Sequence, residues 1–176
     1  MELFLDAWLD PDRHEVTRHI ARHLIVAHHR GTTIEARIML VHAALEYLAW
    51  VTYVLSGKCS RKKYREAPAE DHLRDLLKDV GIDPAIPSGL QALQRFAQEE
   101  QLADGPAALT RLRNRLVHPK YPGEPYHIEG LVTEAWRLST EYGELLLLGR
   151  IGYRGKYLPR TNTGQWVDST SVPWTS

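Results

Sequence analysis

Residues 33–55 read TIEARIMLVHAALEYLAWVTYVL, apolar nearly all round and closed by Ser56-Gly57. A helix with one apolar stripe lies on a surface, whereas a helix apolar on every side must be packed from several directions. The stretch therefore predicts a central helix, the hub of an α-helical core. Its apolar run from Ile38 to Leu55 is broken by His42 and Glu46. That falls short of the roughly 20 unbroken apolar residues that span a bilayer, so a buried helix is expected and no membrane partner.

The hub needs partners on both sides in sequence. Upstream, PDRHEVTRHIARHLIVAHHR (residues 11–30) repeats apolar residues at helical spacing through Val16, Ile20 and Leu24, with Gly31 placed to stop the helix. Downstream, residues 58–65, KCSRKKYR, hold five basic side chains and no acid, which suits an exposed loop or a frayed helix. PAEDHLRDLLKDVGI resumes an amphipathic helix ended by Gly81, and Leu90, Leu93 and Phe96 mark another to about Leu102. Asp104-Gly105-Pro106 then supplies a helix start, with Pro106 suited to the first turn. Leu109, Leu112 and Leu116 form the stripe of that helix. It ends at His118, because Pro119 disfavours helical geometry in its predecessor. Ile128 to about Gly149 carries a last long helix. From Ile151 the helical period disappears, and aromatic, Thr, Gly and Pro residues predict a β-hairpin or extended arm packed by Trp166 and Trp174. The expected class is all-α: a helical bundle over residues 1–150 and a short C-terminal arm over 151–176.

Composition agrees with one packed domain. The 176 residues are 43% hydrophobic and 25% charged, ordinary globular usage that excludes disordered and collagen-like classes. Twenty-two basic side chains balance twenty-two acidic ones, so no global positive field advertises nucleic acid and any basic footprint must be local. Cys59 is the only cysteine, which forbids an internal disulfide and fits a reducing cytoplasm. The N-terminus carries Glu2, Asp6 and Asp10 where a secretory signal needs a basic start.

The local footprint is RLRNRLVHPK, residues 111–120, where Arg111, Arg113, Arg115 and Lys120 are positive and no acid interrupts them. Helical spacing sets Asn114 one turn before His118 at i, i+4 and Arg115 at i, i+3, with Arg111 continuing that row and Arg113 lying obliquely beside it. An imidazole at a helix end, a carboxamide and guanidinium groups form a set able to bind a phosphodiester, shuttle a proton and stabilise added negative charge. The same residues also read as a solvated basic face whose terminal His suits the helix dipole.

The string Arg113-Asn114-Arg115-Leu116-Val117-His118 resembles the R-N-x-x-x-H motif of the HEPN superfamily of helical ribonucleases and nucleotide-binding proteins, and Pro119 strengthens the likeness. The helix EARIMLVHAALEYLAW with Glu35 and Glu46 is similar to the long early helix of those domains. The ending LLLLGRIGYRGKYLPR with VPW, and Trp8 with the helix after it, are similar to ApeA-like anti-phage HEPN proteins. The resemblance implies a HEPN-type bundle acting as a metal-independent endoribonuclease, without a cofactor. It also implies a homodimer in which two motif copies form a composite active site, and a bacterial anti-phage or toxin-like effector, with an upstream sensor domain or regulator as a further partner. Carried onto this chain, Arg113 and His118 are catalytic with Asn114 supporting, and RNA is cut to 2′,3′-cyclic phosphate and 5′-hydroxyl ends. Arg111, Arg115 and Lys120 bind substrate. Since some members lack activity, a non-catalytic module binding RNA, a nucleotide or a protein partner is the alternative.

Two further features carry expectations. A carboxylate at Glu46 on the hub helix is costly unless paired, so a salt bridge to an arginine of residues 111–115 is expected, one that also orients Arg113. His19 and His23 have the spacing of two metal ligands on one helical face, but no third ligand lies nearby in sequence and no metal is assigned.

Overall fold

The computed structural model describes residues 2–162 and 169–175. Among the described residues eight α-helices follow in order: α1 (Glu2–Leu9), α2 (His14–His28), α3 (Ile34–Trp50), α4 (Arg61–Glu66), α5 (Ala69–Asp79), α6 (Gln91–Glu99), α7 (Gly105–Val117) and α8 (Leu131–Arg150). A π-helical turn, Val51–Leu55, continues α3, and the arm adds a two-residue antiparallel ladder between β1 (Lys156–Tyr157) and β2 (Thr170–Ser171). The chain is all-α with a short C-terminal hairpin.

α3 is the hub, in contact with α2, α5, α7 and α8. Thr33 caps it, its hydroxyl accepting from the Ala36 amide at 3.4 Å, and Ile38, Val41, Ala44, Leu45 and Leu48 are buried. With the π turn included, Ile34–Leu55 is 22 residues long and contains an 18-residue window of mean hydropathy 1.6, long and apolar enough by composition alone to cross a membrane, with 39% of that window buried inside the fold. The apolar run from Ile38 to Leu55 already contains the π turn, and the first turn of α3, with Glu35 and Arg37, supplies the rest of the length. Phe96, Leu93, Leu109, Leu112, Leu131 and Leu138 close the core from α6, α7 and α8.

α7 starts and stops where local chemistry requires. Asp104 accepts from the Ala107 amide at 3.0 Å, and Arg74 holds the same carboxylate through Nε and Nη2 at 2.5 and 3.1 Å. A Cβ on Gly105 would stand 2.5 Å from Tyr142 Oη and 3.0 Å from the Pro84 carbonyl, so only glycine lets the helix start this close to α8. At the other end His118 leaves helical geometry at φ −131°, ψ 65°, while its amide still donates to the Asn114 carbonyl at 2.8 Å. Gly123 at φ +83° then turns the chain back beneath the helix.

Elsewhere the bounds shift slightly. The basic stretch folds into the short exposed helix α4, capped by Ser60, whose hydroxyl accepts from Lys63 N at 3.2 Å. α8 begins at Leu131 rather than Ile128, because Gly130 in the left-handed region (φ +83°) resets the backbone. α1 was not foreseen as a helix. The arm folds back on α8: Val172 is buried, the Trp174 indole donates to the Tyr153 carbonyl at 2.6 Å and its ring lies over Gly149. Trp166 lies outside the described residues.

Candidate active site

The last two turns of α7 divide the motif between two faces. A cleft of about 320 Å³ is lined by Arg111, Asn114, Arg115, His118 and Lys120, with Thr110 and Glu70 at its border. His118 is exposed, and no side-chain hydrogen bond or ion pair engages its imidazole among the described residues. Arg113 does not line this cleft, since five helical residues carry it well round the axis from His118. Its guanidinium instead forms an ion pair with Glu46 on α3 and donates to Asn114 Oδ1 at 3.2 Å. Asn114 is thus the link between the two faces.

The expected bridge from Glu46 to the arginine run is present, and Arg113 is the partner. One part of the expectation is corrected: the Glu46 side chain is 50% exposed, because position 46 faces the edge of the bundle. Exposed pairs contribute about 0–1 kcal/mol, so this one orients Arg113 more than it stabilises the fold.

Arg115, expected to bind substrate, is corrected to a bracing residue. Its side chain is 8% exposed and lies between two carboxylates, Glu100 at 2.5 Å and Glu124 at 3.1 Å, with the Phe96 ring 5.2 Å away. The Arg115 guanidinium also holds the Glu100 carboxyl below its ordinary range. Glu124, itself 3% exposed, accepts from the Lys120 amide at 2.5 Å, and so ties the loop after His118 to the underside of α7. Arg111 is only loosely held, 3.5 Å from Glu100. Sequence reasoning missed Glu100 and Glu124; the only signal was that an acid-free run of arginines in a neutral protein needs carboxylates from elsewhere.

A second cavity, about 360 Å³, opens between α3, α4 and α5. Leu45, Ala49, Trp50 and Leu73 give it apolar walls, while His42, Glu46, Tyr64, Arg65, His72 and Thr110 add polar atoms. Tyr64 stacks on His72 with ring centres 3.6 Å apart and planes 4° from parallel. His42 is buried, its Nε2 has no partner, and burial together with the nearby Arg113 cation pushes the imidazole down to about 3.

That shift sets a pH dependence. In the unfolded chain His42 titrates near 6.5, and in the fold it stays neutral to about 3, so the unfolded state takes up a proton first as pH falls. Stability is therefore lost between about pH 6.5 and 3, at a slope approaching roughly 1.4 kcal/mol per pH unit. Urea melts of the parent and of His42→Leu should diverge by about 2 kcal/mol on going from pH 7 to pH 5. Parallel stability curves would show that His42 is not held neutral.

On α2, His19 packs between Tyr47 at 3.9 Å and His23 at 4.3 Å. Among the described residues no group of three or more His, Cys, Asp or Glu side chains is placed to hold a metal ion.

Comparison with known proteins places the chain in a family. The YopA C-terminal domain family matches residues 10–172, nearly the whole chain, and the chain belongs to it. The SPbeta prophage-derived uncharacterized protein YopA of Bacillus subtilis (strain 168) is 32% identical over 140 residues. The match covers 75% of this chain and 29% of that relative, so the chain spans under a third of its length. No solved structure matches.

Proposed function

We propose that this member of the YopA C-terminal domain family is a metal-independent endoribonuclease of HEPN type, cutting RNA to 2′,3′-cyclic phosphate and 5′-hydroxyl ends. The observation that carries the reading is the exposed, unengaged His118 at the end of α7, in one cleft with Asn114, Arg111 and Lys120. In that cleft the cations hold the phosphodiester. His118 takes the proton of the ribose 2′-hydroxyl or returns one to the leaving 5′-oxygen; the 2′-oxygen bonds to phosphorus as the P–O5′ bond breaks. Arg113, aimed by Glu46 and Asn114, neutralises the charge that develops on the phosphate.

Because Arg113 and His118 face different sides of one copy, the reading requires a homodimer with a composite site in which a second copy completes each set. Val117 and Tyr121, which flank His118 and are 48% and 53% exposed, offer apolar surface for that contact. RNA supplies the negative charge that two facing arginine clusters need. The Bacillus subtilis relative is prophage-derived, which is in keeping with an anti-phage or toxin-like effector in the cytoplasm, gated by a sensor domain or regulator. No cofactor and no membrane enter this reading.

The engagement of Arg113 by Glu46, away from the His118 cleft, favours a second reading: a module that binds RNA, a nucleotide or a protein partner without cutting. Incubating the purified chain with total RNA in EDTA separates the two. Fragments ending in cyclic phosphate support the nuclease; retention of intact RNA on the protein supports the binding module.

A further inference from the structure

The cavity between α3, α4 and α5 has no part in proton transfer at His118, yet it adjoins that chemistry at two points. Thr110 lines both the cavity and the His118 cleft, and Glu46, which holds Arg113, forms part of the cavity wall. The cavity thus shares Thr110 with the cleft and lies on the Arg113 side of α7.

We infer that this cavity is a nucleobase pocket, taking a purine and preferring guanine, that reads the base next to the cleaved phosphate. The inference rests on the nuclease reading for its place in the reaction, though not for binding itself.

Three observations carry it. The walls suit a flat ring: Trp50 meets Tyr64 edge-on at 5.2 Å and 90°, and Leu45, Ala49 and Leu73 add aliphatic surface against which a base can stack. The volume of about 360 Å³ lies at the lower end of small-ligand pockets and admits a purine. Polar groups converge on it from His42, Glu46, Arg65, His72 and Thr110. The buried Nε2 of His42 has no protein partner, a state that is unfavourable unless a ligand supplies one.

Guanine is favoured by the chemistry of Glu46. A carboxylate only accepts hydrogen bonds, and its several lone pairs leave room beside the Arg113 contact. Guanine places two donors, N1–H and the N2 amino group, side by side on its pairing edge. Adenine sets the acceptor N1 beside its amino donor, cytosine likewise sets N3 beside N4, and uracil flanks one donor with two carbonyls. Each of the three brings an acceptor toward the carboxylate, and a hydrogen-bonding site rejects a mismatched edge strongly.

The test is equilibrium binding of the 3′- and 5′-monophosphates of guanosine, adenosine, cytidine and uridine to the full chain, alongside mapping of RNA cut sites. GMP in one of its two forms should bind at least about tenfold more tightly than the other nucleotides, and that form identifies the side of the cut on which the base sits. Ala69→Trp, an exposed position on the cavity rim, should abolish GMP binding and flatten base preference while leaving cleavage in place. His42→Leu, which removes an unpartnered buried atom without opening a void, should keep the fold and weaken GMP. Equal binding of all four bases, no binding of either GMP, or an Ala69→Trp variant that still selects guanine would overturn the pocket. Guanine-selective binding without RNA cleavage would leave the pocket standing and remove the nuclease. Cleavage without base preference would do the reverse.

Discussion

His118→Ala is expected to lower RNA cleavage by about 10² to 10⁴ while leaving the melting temperature close to that of the parent. Positioned proton transfer is worth that much in rate. The stability half of the expectation follows from exposure: the imidazole stands in solvent at the helix end and no described group bonds it, so its removal leaves no cavity and no stranded partner. Initial rates on a defined RNA, together with thermal melts, check both halves. A variant that still cuts at the parent's rate would remove His118 from the chemistry. A variant that loses its fold would show instead that the residue is structural.

Arg115→Ala should behave in the opposite way, costing about 3–5 kcal/mol of stability. Its guanidinium is the counter-ion of Glu124, a carboxylate only 3% exposed, and also pairs with Glu100. Removing the cation strands a buried charge beneath the helix that carries the motif. The expected fall in melting temperature is roughly 10 °C. Arg111→Ala, one turn earlier and exposed, should change stability by less than about 0.5 kcal/mol and act on RNA affinity instead. Were Arg115→Ala to weaken RNA binding with no loss of stability, the original assignment of Arg115 to the substrate would be restored.

That pair of arginines shows what a sequence can and cannot disclose. Helix α7 was legible to within a residue: a cap at Asp104 or Gly105, Pro106 in the first turn and Pro119 after His118 act through local backbone chemistry, which one chain segment contains in full. The hub helix was legible for a similar reason, since an all-round apolar surface has few homes in a folded chain. Arg111 and Arg115 look alike in sequence, four residues apart on one face. Only the tertiary fold separates them, by burying Arg115 between Glu100 and Glu124 and leaving Arg111 exposed with a loose contact to Glu100 alone. Glu46 shows the converse: a partner within the arginine run was foreseen from the cost of an unpaired carboxylate, its exposure was not, because a one-residue change in facing decides whether an acid on a core helix meets solvent. The cavity at His42 was invisible, as its lining comes from four separate helices whose spacing no local pattern encodes.

The most direct measurement uses an otherwise DNA oligonucleotide carrying one ribonucleotide, guanosine, at a known position, incubated in EDTA with the full chain. Attack by the 2′-oxygen predicts a single cut 3′ to the ribonucleotide, a 2′,3′-cyclic phosphate on the upstream fragment, and no reaction when that sugar is 2′-O-methyl or when the protein is His118→Ala. Cleavage of the 2′-O-methyl substrate, or intact oligonucleotide under conditions in which the same preparation cuts total RNA by another route, would contradict the account.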